Sequence, residues 1–211
     1  MLLVALVATF FFAGIAEPGD AQRVIGTVLV AITLMLALYA AELPPKLLWA
    51  GGVLVLVLVV GVIVASVAVE DRTVAATASL ASALMVALAP PAVVRGVWRN
   101  IRATGAVTLT VVAGVLCFYL LVGLFFAFVY TTIQNIDSSP FFAGGAMATS
   151  PRSVYFSFVT LATLGYGDYT AHSNFGHTLS ITETLIGQIY LVTVVATIIG
   201  RLVPRRVTLH E

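Results

Sequence analysis

Five long apolar runs constrain the fold of this chain more than any other feature of its sequence. A helix that crosses a bilayer needs about 20 consecutive, predominantly apolar residues. A shorter apolar run, Leu2–Ala16, precedes them and contains no Lys or Arg, so we expect a retained first helix there rather than a cleaved signal peptide. The sequence therefore predicts an all-α membrane protein with six transmembrane helices. The five long runs are Val24–Ala41, Leu47–Val69, Thr73–Val94, Gly105–Thr131 and Thr178–Val203.

The composition agrees with a membrane protein. Hydrophobic residues make up 61% of the chain and charged residues only 9%, whereas about a quarter of a soluble domain is charged. The net charge of +1 gives no sign of a nucleic-acid partner. Cys117 is the single cysteine, so it cannot form an intrachain disulfide, and we expect a buried structural thiol.

The distribution of basic residues predicts the orientation in the membrane. Lys46, the connector Arg95–Arg102 and the tail Arg201–Arg206 fall on one side if the runs alternate in direction, and together they hold seven of the ten Lys and Arg residues. Six of the nine acidic residues then fall on the opposite side. Because basic loops stay in the cytoplasm, we expect a multi-pass protein of the cell membrane with both termini cytoplasmic.

The segment between the last two runs is different in kind. Thr132–Ser150 is polar and contains glycine, and a short apolar stretch, Pro151–Thr163, follows it. Ser150 can cap a helix and Pro151 suits its first position. A helix of about twelve residues is roughly 18 Å long, too short to cross the membrane. We therefore predict a re-entrant pore helix that is enclosed by protein.

Residues 163–168, directly after this helix, read Thr-Leu-Gly-Tyr-Gly-Asp. Backbone carbonyls can replace the water around a dehydrated potassium ion if an extended strand turns them all toward one axis. Such a strand needs residues in conformations that glycine enters easily. The two glycines alternate here with Leu164 and Tyr166, and Thr163 can add a hydroxyl oxygen. The alternative is an ordinary Gly-Tyr-Gly turn in a membrane loop.

The stretch Thr160–Asp168 closely resembles the selectivity-filter signature of the potassium-channel family. The family usually has valine where this chain has Leu164, and we expect selectivity to survive because the carbonyl, not the side chain, faces the ion. The resemblance implies that K⁺ ions bound in the filter are the only ligand and that no cofactor is needed. It implies K⁺ coordination by Thr163, Leu164, Gly165 and Tyr166.

The family pattern of outer helix, pore helix, filter and inner helix covers Gly105–Val203. Tyr155 and Phe156 match the aromatic pair that supports the filter in this family. Val159 stands where some members have a glutamate paired with the aspartate after the filter, so Asp168 needs another partner, for which Tyr155 is a candidate. The residues expected to support the filter are Gly167, Asp168, Tyr155, Phe156 and Glu183.

The predicted inner helix contains three further candidates. Glu183 is an ionisable group inside an apolar run, and such groups usually have a partner or a function; we expect a hydrogen bond to the pore helix, with the outer interface as the alternative. Gly187 is either a gating hinge, as in many family members, or a site of close helix packing. The resemblance implies a central cavity and an inner gate lined by Gln188, Leu191, Val195, Ile199 and Val203.

Six spans with the pore in the last two resemble the layout of the voltage-gated cation channel superfamily. A voltage sensor needs several basic residues along its fourth helix, and Thr73–Val94 contains none. We therefore expect residues 1–94 to form a four-helix peripheral domain, arranged like a voltage sensor but without its charges. Pro90 and Pro91 are expected to kink or end the fourth helix.

Residues 95–104 are predicted to form a cytoplasmic amphipathic linker to the pore domain, residues 105–211. Arg95, Arg99 and Arg102 would face anionic lipids, and Trp98 suits the membrane interface. A plain topological anchor is the alternative.

The function predicted from the sequence is passive K⁺ conduction through a homotetrameric pore, because one filter strand per chain cannot form a ring alone. A non-selective cation channel of the same architecture and a non-conducting membrane scaffold are the alternatives. No paired carboxylates, histidine cluster or nucleophile–base combination suggests an enzyme. His172 and His177 are expected to be interfacial residues at the outer mouth.

Overall fold

The computed structural model describes residues 1–17, 19–68, 72–104 and 108–202, and this part of the chain is helical apart from its connectors. A short 3₁₀ turn, Ala143–Gly145, lies in the loop before the sixth helix. The seven α-helices are α1 (Leu2–Ile15), α2 (Asp20–Ala40), α3 (Pro45–Ala68), α4 (Arg72–Thr104), α5 (Leu109–Ile136), α6 (Ser150–Leu161) and α7 (Asn174–Leu202).

Four stretches within the described residues are long and apolar enough to cross a membrane. They lie in α2, α3, α4 and α5, whereas the 14-residue α1 is apolar but shorter. The all-α class and the helical membrane architecture are confirmed, and the total of six spans stays a prediction. The four stretches are Ala21–Ala40, Pro45–Val64, Val74–Arg102 and Leu109–Ile136.

The fourth helix does not end at its two prolines. Helix α4 runs for 33 residues to Thr104 with Pro90 and Pro91 inside it, so the predicted linker, residues 95–104, continues this helix. A kink at the prolines, the other predicted effect, and the division into a peripheral domain and a linker stay predictions. Each proline removes a backbone donor, but neighbouring helices compensate for such losses in membrane proteins. Ala89 and Ala92, on either side of the prolines, are buried in the main apolar core.

Two of the arginines predicted to face lipid have protein contacts. Arg99 forms a 2.5 Å salt bridge with Glu42 and donates a hydrogen bond to the Ala41 carbonyl at 3.2 Å. The Arg102 guanidinium lies 5.1 Å from the Trp98 ring centroid, a cation–π contact. Arg99 therefore ties the end of α4 to the α2–α3 turn, while lipid binding by Arg95, Arg99 and Arg102 stays a prediction.

Helices from the first half of the chain pack against α5 and α6. The main core joins α1, α2, α4 and α5 through fully buried residues that include Leu6, Leu34 and Met85. Helix α1 also contacts α6: the Phe10 and Phe158 rings meet edge to face at 4.7 Å. Ser150 Oγ donates to the Ala13 carbonyl at 3.2 Å. The first helix thus lies beside the short helix α6.

Helix α6 has the predicted length of 12 residues but begins one residue earlier than expected. Thr149 occupies the N-cap position without a side-chain cap, and Ser150 is the first helical residue. The predicted cap at Ser150 is wrong, because Ser150 lies inside the helix; its Oγ donates to the carbonyl at the end of α1.

Candidate functional site

The segment Thr163–Asp168 begins directly at the end of α6. Leu161, the last helical residue, is fully buried. Beyond it, the Thr163 amide donates to the Thr160 carbonyl at 3.0 Å and the Leu164 amide to the Val159 carbonyl at 2.9 Å. These bonds use the carbonyls that a helix end leaves without intrahelical partners. They fix where the segment starts relative to α6.

Every second residue of this segment has a positive φ. The values are 57° at Thr163, 54° at Gly165 and 79° at Gly167. Leu164 and Tyr166, which stand between them, do not have positive φ. Glycine adopts a positive φ without strain, whereas at Thr163 it costs about 1–2 kcal/mol. Alternation between left-handed and right-handed residues can align successive peptide groups on one side of a chain, which an ordinary strand does not achieve.

The chain does not cover the segment itself. Leu164 is 55% exposed and Tyr166 is 67% exposed. A Cβ atom added at Gly165 or Gly167 would meet no heavy atom within 4 Å. Exposed apolar and aromatic side chains beside one another indicate a surface that another molecule covers.

Aromatic side chains surround the middle of α6. Phe156 is buried and packs edge to face against Tyr130 and Phe142, with ring centroids 5.1 Å apart in both pairs. The Tyr155 ring contacts Tyr169 at 5.9 Å. The nearby Asp168 carboxylate raises the pKa of the Tyr155 hydroxyl. Tyr155 as the partner of Asp168 stays a prediction.

Glu183 is fully buried at the junction of α5, α6 and α7. Its Oε2 accepts a 2.6 Å hydrogen bond from the Tyr130 hydroxyl, and its Oε1 is hydrogen-bonded to Ser157 Oγ of α6. The Gly123 carbonyl oxygen, 2.7 Å from Ser157 Oγ, is a second acceptor for the single proton of this hydroxyl. The expected hydrogen bond to the short helix is present, and the alternative position at the interface is wrong.

Sequence reasoning missed three members of this network: Tyr130, Ser157 and Gly123. Tyr130 and Ser157 could have been recognised from the sequence, because they are polar residues inside apolar segments and a buried acid needs hydrogen-bond donors. Gly123 lies in close contact with α6, because a Cβ there would approach the Phe158 ring to 2.5 Å.

Gly187 lies where α7 packs directly against the end of α6. A Cβ at this position would lie 2.7 Å from Leu161 Cδ1 and 2.9 Å from the Leu161 carbonyl oxygen. Helix α7 continues through this residue. The contact supports close packing, the second of the two interpretations of Gly187, and the hinge stays a prediction.

We expect Gly187→Ala to lower the thermal stability of the protein, because the backbone oxygen of Leu161 cannot move away from the new methyl group without shifting α6. The measurement is the melting temperature in detergent. Gly61→Ala is the matched control, since a Cβ at Gly61 meets no heavy atom within 4 Å. Equal melting temperatures for the two variants would contradict close packing at Gly187.

The predicted cavity face of α7 is described only in part. Tyr190 fixes the helix to α5 by a 2.7 Å hydrogen bond to the Val115 carbonyl and by stacking on Phe118. Gln188 lies about 200° around the helix from Tyr190, so it points away from α5. Leu191 is 37% exposed. The backbone at positions 195 and 199 is helical, the side chains of Val195 and Ile199 are not described, and Val203 lies outside the described residues.

A protein-family model described as "Ion channel" matches residues 114–203. This match supports an ion channel. The matched residues run from α5 through α6 and the positive-φ segment into α7. No curated protein and no solved structure matches the chain. Together with the apolar helices, the ion-channel match indicates a multi-pass membrane protein.

Proposed function

We propose that the protein is a potassium-selective channel subunit and that four copies form one pore. The observation that carries the proposal is the alternation of positive φ along Thr163–Gly167 directly after a 12-residue helix. In the proposed pore, carbonyl oxygens of Thr163, Leu164, Gly165 and Tyr166 coordinate dehydrated K⁺. The ion moves passively, down its electrochemical gradient.

The exposure of the segment supports a symmetric assembly. A single chain offers one strand of oxygens, and a ring requires several strands around an axis. Leu164 and Tyr166 would become buried between neighbouring copies, and Ile189 of α7, which is 62% exposed, would join the same interface. Homotetramers use one such strand per subunit, and in this layout α1 and α7 complete six spans with both termini in the cytoplasm.

Electrostatics support a cation at the centre of the assembly. The carboxyl end of α6 lies next to the segment, and helix carboxyl ends carry a partial negative charge. Four such ends around an axis would stabilise a cation at mid-membrane. Asp168 and Asp137 would raise the cation concentration at the outer mouth. Hydrogen bonds from Ser139 lower the pKa of Asp137, which keeps this carboxylate charged.

The test is the reversal potential of purified protein in planar bilayers with K⁺ on one side and Na⁺ on the other. We expect a value close to the potassium equilibrium potential. A value near zero would contradict potassium selectivity and favour the non-selective alternative. The feature that favours this alternative is Leu164, which stands where the family usually has valine. An absence of current would contradict conduction and favour a scaffold.

We also expect the open probability to depend only weakly on voltage. Moving one charge across the membrane yields about 2.3 kcal/mol per 100 mV, but α4 contains no Lys or Arg between Val74 and Val94. Current–voltage families in the same bilayers measure this dependence. Steep, sigmoidal activation by a voltage step would contradict the prediction.

A further inference from the structure

A cavity of about 210 Å³ lies between the peripheral helices and the segment before α6. The end of α1, the start of α2, the first half of α4 and the last turns of α5 form its walls, with Met147–Ser150 closing it on the α6 side. Pockets that enclose a drug-sized ligand measure roughly 300–1,000 Å³. The cavity therefore fits the head of an amphipathic molecule whose remainder lies outside.

Hydroxyl groups in the cavity wall use their protons for hydrogen bonds within their own helices. Each donates to a carbonyl oxygen four residues earlier in its own helix, at 2.7–3.0 Å. A hydroxyl has one proton and two acceptor lone pairs. These five hydroxyls therefore present hydrogen-bond acceptors to a ligand. They belong to the buried Thr9, Thr27, Ser79 and Ser82 and to the half-buried Thr131.

The amide of Asn135 adds to this acceptor surface. Its Nδ2 donates to the Ala75 carbonyl at 3.2 Å and to Ser79 Oγ at 3.3 Å, so its remaining group toward the cavity is the acceptor Oδ1. Arg23 is the one charged residue among the described residues that line the cavity, and it already takes part in another interaction. The acceptor oxygens of the wall favour ligands that carry hydroxyl donors.

Apolar side chains complete the lining. Phe12, Ala78, Phe128 and Met147 face the same space. We propose that this cavity binds the hydroxyl-bearing head group of a membrane lipid, with a phosphoglycerol head as the best chemical match. The glycerol hydroxyls donate to Ser79, Ser82 and Thr27, and the acyl chains leave along the helices. The site is separate from ion conduction, so the proposal does not depend on potassium selectivity.

The first test is native mass spectrometry of the purified full-length protein with phosphatidylglycerol or phosphatidylcholine of identical acyl chains. Both lipids carry a phosphate, but the choline head has no hydrogen-bond donor. Two or more hydrogen bonds predict roughly tenfold tighter retention of phosphatidylglycerol. Equal retention of the two lipids would overturn the proposal. Free glycerol lacks the chains and should not displace the lipid; displacement at equal concentration would overturn a lipid as the ligand.

The second test locates the binding in the cavity. Gly26 lines it, and a Cβ there would meet only the Phe12 ring, at an ordinary contact of 3.8 Å. Gly26→Leu should therefore fold, fill the cavity and lose the preference for phosphatidylglycerol. Gly61→Leu is the matched control, because Gly61 lies in open space on α3. Melting temperatures confirm that both variants fold. An unchanged lipid preference in Gly26→Leu, or an equal loss in both variants, would overturn the assignment.

The third test concerns the hydroxyl acceptors. Ser82→Ala removes one acceptor from the cavity wall, and we expect several-fold weaker retention of phosphatidylglycerol. Thr77→Ala is the control on the same helix: its hydroxyl also donates to its own helix, at 2.9 Å to the Val74 carbonyl, but Thr77 is exposed outside the cavity. Equal effects of the two substitutions would overturn the role of the hydroxyl oxygens.

Discussion

Gly165→Ala is expected to reduce potassium flux to the level of protein-free liposomes. Gly165 has a φ of 54°, a conformation that costs an L-amino acid about 1–2 kcal/mol. Four copies around one axis would multiply this cost to about 4–8 kcal/mol per pore. The backbone can relieve the strain by rotating Gly165 to a negative φ, which turns the carbonyl away from its neighbours. The measurement is K⁺ efflux from liposomes containing purified protein.

Gly144→Ala is the matched control for this prediction. Gly144 has a φ of 76°, and a Cβ there would also meet no heavy atom within 4 Å, but the residue lies in the loop before α6. Its replacement imposes similar strain away from the proposed filter. We expect flux through Gly144→Ala to stay near wild type. Normal flux through Gly165→Ala would contradict the filter assignment, and equal losses in both variants would attribute the effect to general misfolding.

Glu183→Ala is expected to destabilise the protein by about 2–5 kcal/mol, as large-to-small substitutions in a buried core do. The carboxyl group connects three helices by accepting from Tyr130 and bonding to Ser157. Its removal leaves a cavity and takes a partner from each hydroxyl, although Tyr130 keeps a weak 3.5 Å contact with Ser180 and Ser157 keeps the Gly123 carbonyl. Thermal denaturation monitored by circular dichroism measures the loss.

The variant Glu183→Gln tests whether the hydrogen bonds of Glu183 or its charge contribute to stability. Because Ser157 can donate its proton to the Gly123 carbonyl, an amide N–H at position 183 can donate to Ser157 Oγ while the amide oxygen accepts from Tyr130. We therefore expect Glu183→Gln to keep most of the stability that Glu183→Ala loses. A glutamine variant as unstable as the alanine variant would show that the network requires a carboxyl group rather than its hydrogen bonds.

The short helix and the positive-φ segment were predictable from the sequence because both depend on local chemistry. Twelve residues cannot cross a membrane, and Gly165 and Gly167 supply conformations that few other residues adopt. The continuity of α4 was not predictable, because whether a helix survives Pro90 and Pro91 depends on the helices packed around them.

The hydrogen-bond partners of Glu183 could not be predicted either, because they are far from it along the chain. Tyr130 is 53 positions from Glu183 and Ser157 is 26 positions away. A sequence shows that a buried acid needs donors, but only the packing of α5, α6 and α7 selects which hydroxyls provide them. The contact between α1 and α6 could not be predicted for the same reason, since no sequence pattern specifies which faces of two apolar helices meet.

The contact between the first helix and the short helix has a mechanical consequence. Phe10 abuts Phe158, and the carbonyl of Ala13 holds Ser150. Displacing α1 sideways therefore pushes on both ends of α6 at once, and the loop that follows α6 moves with it. A movement of α1 would therefore reach the positive-φ segment within the same chain without passing through α4.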